Sequence, residues 1–229
     1  MNRGIVVVTA LAAAAIGATF SMRACAATPT PAATTSIGEW QAGTNYTLLE
    51  SPLPPHLAKG KIEVNEIFWY GCSHCYALDP TLESWKTSKP GYVEFVRIPV
   101  IWGPMHRQHA KLFYTLQALG RGDLHPKVFE AIHRDGKPLA AQDEQEARAM
   151  HWEFLKQNGV SEKDFNAAYD SPAVAANVAA AEQLTLRFAV ASVPLMIVNG
   201  KYSTSVSQAG GQPELLTLVN ALAASEKSR

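Results

Sequence analysis

The stretch Glu66-Ile67-Phe68-Trp69-Tyr70-Gly71-Cys72-Ser73-His74-Cys75-Tyr76 runs from an apolar, aromatic segment straight into two cysteines separated by two residues. Lys61 to Tyr70 reads as a strand, rich in β-branched and aromatic residues. Gly71 ends it. From His74 to about Lys86 the pattern turns helical, with Leu78, Leu82 and Trp85 on one face. The cysteines therefore sit between a strand and a helix, with Cys72 at the helix N-terminus. Unpaired N–H groups and the helix dipole favour an anion there. A neighbouring His74 adds to that preference. The sequence thus predicts an acidic, nucleophilic Cys72 and a Cys75 that resolves mixed disulfides.

Other uses of the pair fit less well. A structural disulfide closing two residues restricts the unfolded chain very little. A structural zinc site wants four ligands, and no second cysteine pair exists. Covalent haem attachment needs histidine directly after the second cysteine, where Tyr76 stands.

Outward from this centre, Tyr92 to Val100 is a second strand, and residues 105–188 look almost wholly helical. Segments run His106 to Leu119, Pro126 to His133 and Asp143 to Gln157. Ser161 with Asp164 resembles a capping box for a fourth, and Ser171-Pro172 opens a fifth. Leu195 to Val198, Asn199-Gly200 and Lys201 to Thr204 form a hairpin signal. Pro213 to Ala224 is a last amphipathic helix. The order predicts an α/β sheet with helices inserted in its middle.

The chain has 229 residues, is 47% hydrophobic and 17% charged, and carries no net formal charge. Nothing in that balance points to nucleic acid or an anionic membrane. Met1-Asn2-Arg3, the uncharged run from Gly4 to Met22 and Ala24-Cys25-Ala26 have the layout of a cleaved secretory signal. An uncleaved membrane anchor is the rival reading of the same run. Lipid attachment at Cys25 is disfavoured by Arg23. Cleavage after Ala26 removes Cys25 and leaves Cys72 and Cys75 as the sole cysteines. Thr28 to Ser36 reads as a flexible spacer.

The stretch from Glu66 to Tyr76 resembles the active-site region of the DsbA family of thiol:disulfide interchange proteins. So does Val193-Pro194-Leu195-Met196-Ile197-Val198-Asn199-Gly200-Lys201-Tyr202. The resemblance extends from about Gly43 to the C-terminus. It implies a thioredoxin-like fold with an inserted all-helical domain. The expected division is signal peptide 1–26, flexible spacer 27–39, thioredoxin-like parts 40–104 and 186–229, and helical domain 105–185. It further implies oxidation of newly exported, thiol-containing proteins in the bacterial periplasm. A membrane-embedded, quinone-linked oxidase of the DsbB type would restore the disulfide, with no added cofactor, metal or nucleic acid.

The resemblance assigns Pro194 as a cis-proline facing the cysteines and Val193 as backbone offered to a substrate strand. Glu66 takes the place of the family's buried acid behind the site; a strand carboxylate reaching solvent is the other reading. Alternation puts Ile62, Val64, Glu66 and Phe68 on one strand face. One position departs from the family, which usually has proline where Ser73 stands. His106, His109, His125, His133 and His151 lack metal-ligand spacing, and solvated or capping roles are expected for them. Trp69, Tyr70, Tyr76 and Trp102 either line a substrate groove or belong to the core. The expected protein is a monomeric disulfide oxidase. A reductase or isomerase, or a peptide-binding chaperone with a structural disulfide, are the alternatives; isomerases of this kind usually carry a separate dimerisation domain, for which no spare segment is seen.

Overall fold

A computed structural model of the chain describes residues 36–50, 52 and 60–228. The signal call on 1–26 and the spacer call up to residue 35 lie outside them. The spacer call needs one correction inside them. Ser36–Ile37 (β1) and Trp40–Gln41 (β2) form a small antiparallel ladder, closed by Gly38 with φ of 60°. Ile37 and Trp40 pack on the core, and that burial holds the segment in place.

The main sheet has five strands. β3 (Thr47–Leu48), β4 (Ile62–Phe68), β5 (Val93–Pro99), β6 (Leu195–Val198) and β7 (Tyr202–Thr204) stand in the order β3-β7-β6-β4-β5. β4 and β5 run parallel, and the other neighbours are antiparallel. A parallel pair needs a crossover, which α1 (Ser73–Ser88) supplies.

Between β5 and β6 lie five helices: α2 (Pro104–Ala118), α3 (His125–His133), α4 (Glu144–Gln157), α5 (Glu162–Tyr169) and α6 (Pro172–Arg187). A 3-10 turn, Gly122–Leu124, leads into α3. Short α7 (Val206–Ala209) and long α8 (Gln212–Lys227) close the chain. The element order matches the thioredoxin-like fold with helices inserted in the sheet.

Local chemistry accounts for the boundaries. α2, α3, α6 and α8 each have proline in the first turn, where a missing N–H costs nothing. Asp143, Ser161 and Ser171 cap α4, α5 and α6 through their side-chain oxygens. The capping box at Ser161 is only half formed. Asp164 N–H donates to Ser161 Oγ, but the Asp164 carboxylate takes the Ser161 hydroxyl, too short to reach the backbone N–H. In the β6–β7 turn, Asn199 and Gly200 have φ of 51° and 62°, as the type I′ turn requires.

β4 is buried on both faces, unlike a strand with one wet side. Ile62 and Val64 join one core cluster with Leu78, Leu82 and Trp85 of α1 and Leu215, Leu218 and Leu222 of α8. Ile67 and Phe68 join a second cluster with Phe113, Phe129 and Leu155 of the inserted helices. Alternation therefore understates the burial: the inserted helices cover the face that a simple sheet would leave to water. Among the described residues, no helix is long and apolar enough to cross a membrane.

Candidate active site

Strand β4 ends at Phe68, and Trp69-Tyr70-Gly71 turns the chain into α1. The Cys72 N–H closes this turn on the Trp69 carbonyl at 3.0 Å. Gly71 is dictated by contact: a Cβ there would lie 2.5 Å from the Trp69 ring. Cys72 is the N-cap of α1, with extended backbone. Its sulfur accepts the Cys75 N–H at 3.4 Å. Both cysteines are free thiols; Cys72 is half-buried and Cys75 has no exposed surface.

The environment separates the two thiols. Cys72 is brought down to about 6, first by the Cys75 side chain as hydrogen-bond partner, then by the backbone N–H groups of Cys75 and His74; partial burial opposes this. The charge of His74 contributes last. Burial pushes Cys75 far above the ordinary thiol range, and the neighbouring Cys72 sulfur adds to it. A poised anion therefore faces solvent while its partner stays protonated beneath.

Val193 and Pro194 reach the site because β6 pairs with β4, Leu195 opposite Ile67. The Cys72 thiol donates to the Val193 carbonyl at 3.6 Å. The Val193–Pro194 peptide bond is cis. Cys72, Cys75, Val193 and Pro194 are thus brought together, and His74 stands exposed beside them.

Glu66 lies deeper, 1% exposed, and faces Arg97 rather than solvent. Arg97 sits directly across the β4–β5 register from Glu66. Its guanidinium donates to Glu66 at 2.8 Å, Asp79 at 2.8 Å and Glu83 at 2.6 Å. Burial raises the Glu66 carboxyl to about 7 against the pull of Arg97. Sequence reading missed Arg97, Asp79 and Glu83. Two signals were present: Asp79 and Glu83 stand one turn apart on α1, and Arg97 is the basic residue of the neighbouring strand. Removing Arg97 takes the guanidinium away from the buried Glu66 and Asp79 and leaves uncompensated charge. Arg97→Leu is expected to cost about 3–5 kcal/mol of stability, read by urea unfolding at neutral pH.

The histidine expectations need correction. His109, His125 and His151 are buried, not solvated, and bind neighbouring groups. His109 donates to the Pro138 carbonyl at 2.8 Å, His151 donates to that of Leu139 at 2.8 Å, and His125 shares a hydrogen bond of 2.7 Å with the Tyr70 hydroxyl. A polar ring pays for burial only by such partners, and the sequence does not show which carbonyl arrives. Among the aromatics, Tyr70 is core, Trp69 and Tyr76 are half-buried, and Trp102 is 44% exposed. Among the described residues, no group of His, Cys, Asp or Glu is arranged to hold a metal ion.

The arrangement suits exchange between thiols and disulfides. Comparison with known proteins agrees. No protein-family model matches the chain. A thiol:disulfide interchange protein DsbA of Pseudomonas aeruginosa is 40% identical over 191 residues, covering 83% of this chain and 87% of the relative. The DsbA of Pseudomonas syringae pv. tomato is 37% identical over 227 residues, covering 99% and 97%. The crystal structure of Pseudomonas aeruginosa DsbA superposes with a TM-score of 0.76 at 39% identity, covering 83% of this chain and 96% of that one.

Proposed function

The chain belongs to the DsbA family of thiol:disulfide interchange proteins and is a thiol:disulfide oxidoreductase, and from that premise we propose that it donates disulfide bonds to newly exported proteins in the periplasm through Cys72 and Cys75. The observation that carries this reading is the position of Cys72, half-exposed at the N-cap of α1 with the Cys75 N–H on its sulfur.

The reaction begins with the Cys72–Cys75 disulfide. A substrate thiolate attacks Cys72, the reachable sulfur; the S–S bond breaks and Cys75 leaves with the electron pair. Cys75 takes up a proton, because burial disfavours its anion. Glu66 is the proposed source, since its charge is felt at Cys75 and its own proton is held to about pH 7. The second substrate thiolate then attacks the substrate sulfur of the mixed disulfide. Cys72 departs as a thiolate, which its low pKa makes a good leaving group. The substrate has lost two electrons and gained one S–S bond.

Val193 offers its backbone beside Cys72 to an extended substrate, with Pro194 fixing that segment against the sulfurs. His74 supports the thiolate electrostatically from the exposed side. A membrane-embedded, quinone-linked oxidase of the DsbB type would accept the two electrons and restore the disulfide. No further cofactor enters this scheme, and the protein works as a monomer.

A reduced dithiol peptide mixed with one equivalent of the disulfide form tests the direction. Most of the peptide is expected to emerge oxidised, with the enzyme reduced in equal amount. Peptide left reduced, together with rapid reduction of disulfides by the dithiol enzyme, would favour a reductase instead.

A further inference from the structure

We propose that His125 and His133 of α3 are positioning residues for the redox centre, holding Tyr70 at both ends so that Cys72 stays on the amides of α1. The inference rests on the reading of Cys72 as the anionic sulfur.

Tyr70 stands two residues before Cys72 and is 1% exposed. Its phenol shares a hydrogen bond of 2.7 Å with His125 Nδ1. Its carbonyl accepts from His133 Nε2 at 2.8 Å. The two histidines are eight residues apart on α3, with Phe129 midway, so the three form one stripe along the helix. Phe129 meets Tyr70 edge-on at 5.0 Å between centroids. His133 also stacks on Tyr76, just after Cys75, at 4.9 Å and 5°. One helix from a distant part of the sequence thus touches the residues on both sides of the cysteine pair.

The consequence follows from chain geometry. The Cys72 N–H is fixed to the Trp69 carbonyl at 3.0 Å, and only Gly71 separates Tyr70 from Cys72. Within Trp69-Tyr70-Gly71, Tyr70 is the residue tied by hydrogen bonds to α3. The hydrogen bond from Cys75 N–H to Cys72 Sγ, at 3.4 Å, depends on where this turn delivers the sulfur. Loss of the His133 donor would leave the Tyr70 carbonyl unpaired and let the turn shift. The sulfur then drifts from the amides, and the thiolate loses stabilisation.

The test is a titration of the Cys72 thiolate by its ultraviolet absorbance in the reduced protein, with urea unfolding run in parallel. His133→Phe keeps the stack on Tyr76 but removes the donor. It is expected to raise the midpoint by about one unit, making the reduced form about tenfold less favoured against glutathione at a pH above both midpoints. His133→Gln keeps an N–H donor and should hold the wild-type midpoint. Tyr70→Phe cuts only the link to His125 and should move the midpoint the same way by less. A merely structural role would lower stability in these variants without moving the midpoint, and that result overturns the inference. So does a Gln variant shifted as far as the Phe variant. An unmoved Tyr70→Phe midpoint removes His125 from the assignment. A wild-type midpoint in the ordinary thiol range would overturn the reading of Cys72 and the inference together, whereas a low wild-type midpoint with unmoved variants overturns the inference alone. If H133F fails to fold, H133L supplies the same loss of donor.

Discussion

Cys75→Ser is expected to abolish disulfide donation while leaving the fold intact. Cys75 has no exposed surface and belongs to the core cluster of Phe68 and Tyr70, so serine fits by size but brings a hydroxyl into an apolar place. That costs about 1–3 kcal/mol if the hydroxyl finds no partner. The catalytic loss is far larger. The partner thiol inside the protein acts at an effective concentration that an external thiol cannot match; well-oriented intramolecular groups reach on the order of 10⁵ M or more. Replacing it by millimolar oxidised glutathione as the external oxidant should slow oxidation of a dithiol peptide by at least about a thousandfold. Cys72, still half-buried, keeps a thiol that can attack an added disulfide such as oxidised glutathione, releasing one glutathione thiolate. In oxidised glutathione the variant should therefore accumulate as a mixed disulfide between Cys72 and glutathione, with no Cys75 thiol to resolve it, visible by mass spectrometry under non-reducing conditions. Near-normal turnover would mean that Cys75 takes no part.

The second large effect is acid instability driven by buried histidines, His125 among them, which burial also holds low. Burial holds His109 at about 4 and His151 at about 3, both below the ordinary 6.5. The unfolded chain therefore binds protons at a pH where the folded protein does not, and stability falls as pH drops through that window. At about 1.4 kcal/mol per pKa unit, full passage costs about 3 kcal/mol for His109 and about 5 kcal/mol for His151. Glu66 acts in the opposite sense. Its folded pKa, about 7 against 4.5, means that the folded state gains a proton first, which adds about 3 kcal/mol as pH falls from 7 to 4.5. The offset is complete by pH 4.5. Below that, His109 titrates on to about pH 4 and His151 to about pH 3, while Glu83 and Glu226, both held low, begin to lose their pairings. Stability should decline gently from pH 7 to about 4.5 and steeply below. Urea midpoints at pH 7, 5.5, 4.5 and 4 would trace this curve. His109→Gln keeps a donor for the Pro138 carbonyl without a titrating ring, and should flatten the slope. A urea midpoint unchanged from pH 7 to 4 would contradict the account.

Much of this fold is legible from residues 61–76 alone. Strand, glycine, cysteine pair and helix follow from hydrophobic period and a cap, and the structure moves each boundary by only one or two residues. The hairpin at Asn199-Gly200 is equally local, because only a few residues tolerate two successive positive φ values. What escapes the sequence is what depends on distant approach. Arg97 becomes part of the site because parallel pairing sets it opposite Glu66, and its link to Asp79 and Glu83 requires α1 to lie over that pair. His125 and His133 look like ordinary surface histidines until α3 packs on Tyr70. Ser36 to Glu39 reads as spacer because a two-residue ladder has no period to detect. Local chemistry sets the elements; burial of polar groups, which is cooperative, assembles the environment of the sulfurs.

The most direct test of the central claim is the equilibrium of the Cys72–Cys75 pair with glutathione. A thiolate held near pH 6 stabilises the reduced protein and makes its disulfide a strong oxidant. Titration at pH 7, read by trapping and separating the two forms, should give a potential less negative than about −180 mV, the value typical of protein disulfide isomerase. A value near about −270 mV, in the range of thioredoxin, would contradict a disulfide donor and place the protein among reductases.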